Sequence, residues 1–405
     1  SPPKHPASGP IKTNIASNMA VRIIRAVSCM RQEDDPVMSR GFMPVLVTGA
    51  SGFIGAHVVC QLLERGFSVR AMLRDVSLSE MFPENEKLEI VQGDLFDVES
   101  LKSAVSGCED VVHCAAALYV GAKDVKKEVV DPSVIGVQNL CSVMDNVKRI
   151  VHTSSVAAIR STRFENGVVF SNKDWCDDAT ETRNAYGFAK AEAERIMRKW
   201  AENREVRLVT IHPSIVFGPI LHKRHLEGSM SYLKHFIKGP PFVLDVHINF
   251  VDVRDVAVAH VNALTKGVDR ERYIIHKEGM WMKEIGQTLT SNLPKKYASR
   301  KLPRIFAYLL ALFHPKLSIK QLKGSLGTHV SYDVKDSFEV LELPNIEVVD
   351  TLVDGLVDDL VGELITPPPK PEEVIEVKNK TEVDLALESI SILEEPEVKD
   401  PIALE

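Results

Sequence analysis

Thr48-Gly49-Ala50-Ser51-Gly52-Phe53-Ile54-Gly55 joins a short apolar run, Pro44 to Thr48, to a segment from Phe53 to Arg65 with Ile54, Val58, Leu62 and Leu63 at helical spacing. A glycine-rich turn between a strand and a helix is the setting in which a dinucleotide pyrophosphate is held. Gly49 allows the tight turn, Gly52 lets the backbone approach the phosphates, and Gly55 permits close packing of helix on sheet. Ser51, Phe53 and Ile54 complete the cradle, because the first helical turn supplies amide donors and a partial positive charge. The spacing is G-x-x-G-x-x-G, not G-x-G-x-x-G, and bare glycines are a weak signal. The strand, turn and helix context is what makes them informative.

Working outward, Gly66 ends that helix and Phe67 to Leu73 reads as the next strand. Further strands are expected at Leu88 to Val91, Asp110 to His113, Arg149 to Ser154 and Val206 to His212, with helices near Val98 to Val105, Val125 to Met144 and Ala185 to Ala201. Apolar strands alternating with helices predict an α/β chain with a Rossmann-type, doubly wound parallel sheet. After Phe217-Gly218-Pro219 the alternation breaks down. A smaller C-terminal substrate-binding region, 218–365, is therefore expected to cap the carboxyl ends of the strands, where open sheets bind ligands. The nucleotide-binding domain is expected over 44–217. Residues 1–43 read as a disordered extension and 366–405 as an acidic disordered tail.

The end of the second strand selects the cofactor. An acid there accepts from an adenosine ribose hydroxyl, whereas an arginine neutralises a 2′-phosphate. In Val69-Arg70-Ala71-Met72-Leu73-Arg74-Asp75, Arg74 is placed for the phosphate, while Arg70 falls inside the strand. NADP is expected, and Asp75 leaves NAD open.

Tyr186-Gly187-Phe188-Ala189-Lys190 opens a helix, so Tyr186 and Lys190 share one face. A phenol of pKa near ~10 is a poor acid-base catalyst at neutral pH unless a neighbouring ammonium stabilises its phenolate. Thr153-Ser154-Ser155 ends the preceding strand, where a serine hydroxyl can bond a substrate carbonyl while Tyr186 donates the proton. The candidate catalytic residues are thus Ser155, Tyr186 and Lys190, with Lys190 and Tyr186 also on the cofactor. They imply hydride exchange between a carbonyl and a secondary alcohol.

With these motifs in place, the chain resembles the extended short-chain dehydrogenase/reductase family (the NAD-dependent epimerase/dehydratase superfamily), in its dihydroflavonol reductase-like and cinnamoyl-CoA reductase-like branch. The resemblance is carried by TGASGFIG at 48–55, VRAMLRD at 69–75, GDL at 93–95, HCAA at 113–116, HTSS at 152–155, YGFAK at 186–190, HPSIVFGP at 212–219 and NFVDVRDVAVAH at 249–260. It implies that Asp94 and Leu95 contact adenine, that Ala115 forms part of the cofactor wall, that Pro213 to Val216 lies beside the nicotinamide, and that 249–262, through Phe250 to Val253, returns the chain to the nucleotide-binding domain. It also implies that Ser155 is the catalytic serine while Ser154 faces the sheet, and it allows a homodimer by analogy. One departure is that Asp131-Pro132-Ser133-Val134-Ile135-Gly136-Val137 lacks the asparagine that supports a proton relay in many members; Asn139 falls later. This favours reductases over nucleotide-sugar epimerases. A sterol-type 3β-hydroxysteroid dehydrogenase and a non-catalytic NADP(H)-sensing or scaffold protein are the rival readings.

Composition narrows the rest. The 405 residues carry 49 Lys+Arg against 56 Asp+Glu, a net charge of −7. The tail from Thr366 holds eleven acids and four lysines, so it alone equals that excess. The remainder is near neutral, and nucleic acid is not expected as a partner. Six cysteines form no C-x-x-C pair and no zinc spacing, which points to a reducing, cytoplasmic setting. No metal site is expected, although His113, His152 and His212 all lie near strand ends. No apolar run reaches eighteen residues, and Ile305 to Phe313 could at most lie on a membrane surface, so a membrane is not an expected partner. Lys4, Lys12, Arg22, Arg25 and Arg31 precede the first acid at Glu33, a pattern that loosely resembles a transit peptide. Trp175 and Cys176 either sit on a loop over the substrate or serve simple packing, and Val243, His247 and Phe306 to Phe313 are further candidates for the substrate pocket.

Overall fold

The computed structural model describes residues 43–115, 124, 126–238, 241–313, 322 and 324–356. The expected extension, but for Met43, and the acidic tail lie outside the described residues. Strands are numbered along the chain: β1 (Val45–Thr48), β2 (Val69–Leu73), β3 (Leu88–Gln92), β4 (Asp110–His113), β5 (Arg149–Thr153), β6 (Val169–Phe170), β7 (Arg207–Pro213), β8 (Ile215–Phe217), β9 (His247–Asp252), β10 (Arg272–Ile275), β11 (Glu278–Trp281) and β12 (Ser331–Tyr332). Seven of them form one parallel sheet in the order β10-β7-β5-β4-β1-β2-β3. Val45, Leu46, Val47, Val111, Val112, Ile150, Val151, Leu208 and Val209 are all buried. Runs apolar on both faces need helices on both sides, which is why this sheet is central and parallel.

The helices are α1 (Phe53–Glu64), α2 (Val98–Val105), α3 (Asp131–Val143), α4 (Ala185–Glu202), α5 (Ser231–Lys238), α6 (Val253–Ala263), α7 (Met282–Asn292), α8 (Arg304–Phe313), α9 (Ser337–Val340) and α10 (Val348–Asp354). α1 packs beside α6, and α2, α3 and α4 lie side by side. Leu101, Leu140, Met144, Met197 and Trp200 bury the latter group against Leu46, Val111, Ile150 and Leu208 of the sheet. The single helix expected from Val125 to Met144 is instead a π-type turn, Lys126–Val130, followed by α3. Pro132 stands in the first turn of α3, where its missing N–H costs nothing and its fixed φ favours a helix start.

β1 lies between β2 and β4, with Thr48 opposite Met72 on one side and His113 on the other. The chain runs outward through β2 and β3, then crosses back to β4 and continues through β5, β7 and β10. The strand order therefore reverses beside β1, which opens a crevice at the carboxyl edge.

A smaller sheet, β11-β9-β8, lies in the C-terminal part, β9 running parallel to β8 and antiparallel to β11. Phe217, Ile248, Phe250, Ile285 and Leu289 form its core. The chain then returns to the first part: β12 pairs with β6, and Asn262 of α6 donates to the Leu341 carbonyl at 2.6 Å.

Candidate active site

The glycine turn forms because only small residues fit it. Gly49 has φ +67°, and a Cβ there would stand 2.6 Å from the Ala115 backbone; a Cβ on Gly55 would stand 2.2 Å from the Gly49 carbonyl. Ala115 thus abuts the turn as a wall. Gly52 precedes α1 with no side-chain cap, and no acid occupies the first turn. The helix therefore presents amide donors and an unopposed positive dipole end at the crevice, which is the donor set a pyrophosphate requires. Asn139 donates to the Leu95 carbonyl at 2.9 Å, and Asp94 accepts from the Phe96 amide, so the Asp94-Leu95 segment is fixed at the same edge.

At the end of β2, Arg74 is exposed, and among the described residues no carboxylate pairs with its guanidinium. Asp75 spends Oδ1 on the Ser77 amide and hydroxyl, at 3.0 and 2.7 Å, capping the turn that follows. Those bonds hold its carboxyl below the usual range. Arg70 is turned away, bonding Glu89 at 2.8 Å and the Ala104 and Ser106 carbonyls.

Asn184 stands in the left-handed region (φ 55°), which asparagine tolerates, and its Oδ1 accepts from the Gly187 amide at 2.8 Å. This cap starts α4 so that Tyr186 is half-buried and Lys190, one turn on, is buried at 6% exposure. Lys190 Nζ donates to the Thr153 carbonyl at 3.2 Å, tying α4 to the end of β5 two residues before Ser155. Burial pushes the Lys190 ammonium down to about 8, with the fields of Cys114 and Glu194 acting in the opposite direction. Ser155 is half-buried in extended backbone, and its Oγ accepts from the Ala157 amide at 3.1 Å. Ser154 turns the other way, donating to Glu194 at 2.9 Å.

Behind this edge lies a buried polar network that sequence reading did not find. Glu194 binds the Arg272 guanidinium through both oxygens, at 2.7 and 3.3 Å, and takes Nε2–H of His212 at 2.7 Å. Burial would raise its carboxyl, but His212 and Arg272 together outweigh this and hold it far below the usual range. Burial keeps His212 neutral despite Glu194. On the other side, His260 of α6 places Nδ1 2.7 Å from the Val256 carbonyl, which can only accept. Its Nε2 is therefore the acceptor for the Thr153 hydroxyl, 2.7 Å away. The signal for Glu194 was present in the sequence, since it continues the Tyr186, Lys190 row at four-residue spacing. His260 gave no local sign, because its partner is 107 positions away.

Several pocket candidates are displaced. Trp175 has two guanidinium groups stacked over its ring, Arg272 at 3.8 Å and Arg195 at 4.8 Å from the ring centre, and Cys176 is buried. Both serve packing. Val243 lies in the second core, and Phe306, with Ile305 and Leu309, faces outward. The side chains of 310–313 lie outside the described residues. His113 and His152 stack at 5.3 Å, and burial pushes the first down to about 3 and the second well below its ordinary value. Val216 is buried in β8, its carbonyl accepting from Ser229 at 2.7 Å, while Pro213 closes β7 at the edge facing the crevice.

The NAD dependent epimerase/dehydratase family matches residues 45–275, and the chain belongs to that family. Its relatives place it in the branch of NAD(P)-dependent oxidoreductases that includes cinnamoyl-CoA and dihydroflavonol reductases. Cinnamoyl-CoA reductase 2 of Medicago truncatula is 30% identical over 287 residues, 67% of this chain and 84% of that protein. The bifunctional dihydroflavonol 4-reductase/flavanone 4-reductase of Malus domestica is 27% identical over 310 residues, covering 73% and 88%. Gre2 from Candida albicans, solved in complex with NADPH, aligns with a TM-score of 0.68 at 22% identity over 80% of this chain and 100% of that one, a likeness of fold. Among the described residues no helix is long and apolar enough to cross a membrane.

Proposed function

We propose that the protein is an NADP(H)-dependent reductase that converts a carbonyl to a secondary alcohol, or runs the reverse reaction. The observation that carries this reading is the buried Lys190, bonded to the end of β5 beside Ser155 and one helical turn from Tyr186, at the edge shared with the glycine turn. The turn, Ala115 and the uncapped start of α1 would hold the pyrophosphate, Asp94 and Leu95 the adenine, Arg74 the 2′-phosphate, and Pro213 to Val216 the nicotinamide side. When bound, the reduced nicotinamide supplies the hydride that the carbonyl carbon receives.

The chain's own residues do the rest. Ser155 Oγ donates a hydrogen bond to the carbonyl oxygen and polarises it. The Tyr186 phenol gives its proton to that oxygen as charge develops there, and becomes phenolate. The Lys190 ammonium stabilises the phenolate and keeps donors for the ribose hydroxyls. Glu194, fixed by Arg272, holds Ser154 inward and leaves Ser155 to face the crevice. Residues 44–217 with 249–262 would bind the nucleotide, and the remainder of the described C-terminal part would bind the substrate.

The test is to titrate the purified protein with NADPH and NADH by fluorescence, then follow NADPH oxidation against aromatic and aliphatic aldehydes, ketones and an arylacryloyl thioester. Preferential binding of NADPH with turnover of at least one carbonyl is the expected result. Tight nucleotide binding with no carbonyl consumed would favour a sensing role, and binding of neither nucleotide would overturn the cofactor assignment.

A further inference from the structure

The segment after β8 reaches back over the glycine turn. Arg224 Nη1 donates to Ser51 Oγ at 3.3 Å, and among the described residues no carboxylate lies within ion-pair distance of this guanidinium. His225 accepts the Leu221 amide on Nδ1 at 3.3 Å, so its Nε2 carries the proton and donates to the Ser51 carbonyl at 3.2 Å. Burial pushes His225 down to about 3, consistent with this neutral tautomer. His57 of α1 lies 2.9 Å from the Pro219 carbonyl, and Phe53 packs against both His57 and His225 at 5.6 Å. His222 approaches Glu80 at 3.6 Å, in the turn that follows β2. The segment 219–225 is thus pinned to α1, to the glycine turn and to the turn after β2.

β1 and β2 are parallel neighbours with Thr48 opposite Met72, so Ser51 and Arg74 leave adjacent strands on the same edge. The Asp75 carboxyl feels the Arg224 charge. An unpaired guanidinium, a hydroxyl and a second exposed guanidinium therefore surround the place where a cofactor's ribose 2′ position is read. Two guanidinium groups with no ion-paired carboxylate among the described residues, beside a hydroxyl that can hydrogen-bond, match a phosphate dianion.

Resting on the cofactor reading above, we propose that Arg224, reaching over from the C-terminal part, is a second clamp on the adenosine 2′-phosphate, acting with Arg74 and Ser51, and that it sets the preference for NADP(H) over NAD(H). Bound phosphate would take over the Ser51 contact as an ion pair, so nucleotide binding would also secure segment 219–225 on the turn.

The test is fluorescence titration of wild type, Arg224→Gln and Arg224→Lys with NADPH and NADH, and calorimetry with 2′,5′-ADP and AMP as probes that lack the nicotinamide. The expected result is a tenfold or greater loss of NADPH and 2′,5′-ADP affinity in Arg224→Gln, about 1.4 kcal/mol. NADH and AMP affinity should stay within about twofold, and Arg224→Lys should recover part of the loss. Equal loss for NADPH and NADH would overturn the proposal by showing that Arg224 supports only the turn, and so would no loss for either. If wild type bound neither nucleotide, the cofactor reading itself would fail, a result distinct from unchanged NADPH binding in the variant.

Discussion

Replacing Glu194 by leucine removes the anionic centre of the network behind the active site. The carboxylate is fully buried and joins four elements: α4 itself, Ser154 after β5, His212 of β7 and Arg272 of β10. Breaking a buried pair by removing one partner costs about 3–5 kcal/mol, because the other charge is left in a low-dielectric site. Arg272 keeps bonds to the Asn172 and Asp174 carbonyls, at 2.9 and 2.6 Å, and its stacking on Trp175, which places the expected loss at the lower end, roughly 3 kcal/mol. For a protein of this size that is a fall in Tm of roughly 3–5 °C. Glu194→Gln keeps the shape and should lose less, about 1–2 kcal/mol. Glu194→Leu combined with Arg272→Met removes both charges and should recover at least half of the loss. Differential scanning calorimetry at pH 7 with all four proteins measures this. A Glu194→Leu protein within about 1 kcal/mol of wild type would refute the reasoning, as would a double variant whose losses simply add.

Two further predictions concern pH. The Lys190 ammonium loses its proton near pH 8, so carbonyl reduction should fall on the alkaline side with an apparent pKa close to 8. Lys190→Arg, which stays charged, should lack that limb; a wild-type rate level through about pH 9.5 would contradict the assignment. His57, His113, His225 and His260 are buried neutral, pushed down from 6.5 to between about 3 and about 4 by desolvation. The unfolded chain takes up protons at these histidines first as pH falls below 6.5, so stability should be full above that value and drop steadily toward pH 4. A Tm unchanged between pH 6.5 and 4.5 would show that these groups are not held neutral.

The sheet was legible because its strands are apolar on both faces and separated by helices with clear periodicity, so β1 to β5 and β7 could be read from alternation alone, whereas the two-residue β6 is too short to give a pattern. The turn at 48–55 and the Tyr186, Lys190 pair were legible for the same reason: their chemistry needs fixed short spacings. The break of the helix expected at 125–144 was signalled by Pro132, but a π-type turn ahead of it has no periodic signature. Trp175 could not be assigned between pocket and packing because its guanidinium partners, Arg195 and Arg272, lie 20 and 97 positions on. His260, Arg224 and Arg272 act across the fold, joining elements whose proximity only the tertiary structure decides. Glu194 could have been found by extending the helical row one step past Lys190.

The most direct measurement is a comparison of Tyr186→Phe with wild type in NADPH titration and carbonyl turnover, using a carbonyl that the wild type reduces. The substitution removes one hydroxyl from a half-buried ring, so NADPH affinity should stay within about threefold, while kcat should fall by about 10²–10⁴. Turnover retained in Tyr186→Phe would contradict the assignment of Tyr186 as the proton donor and with it the proposed mechanism.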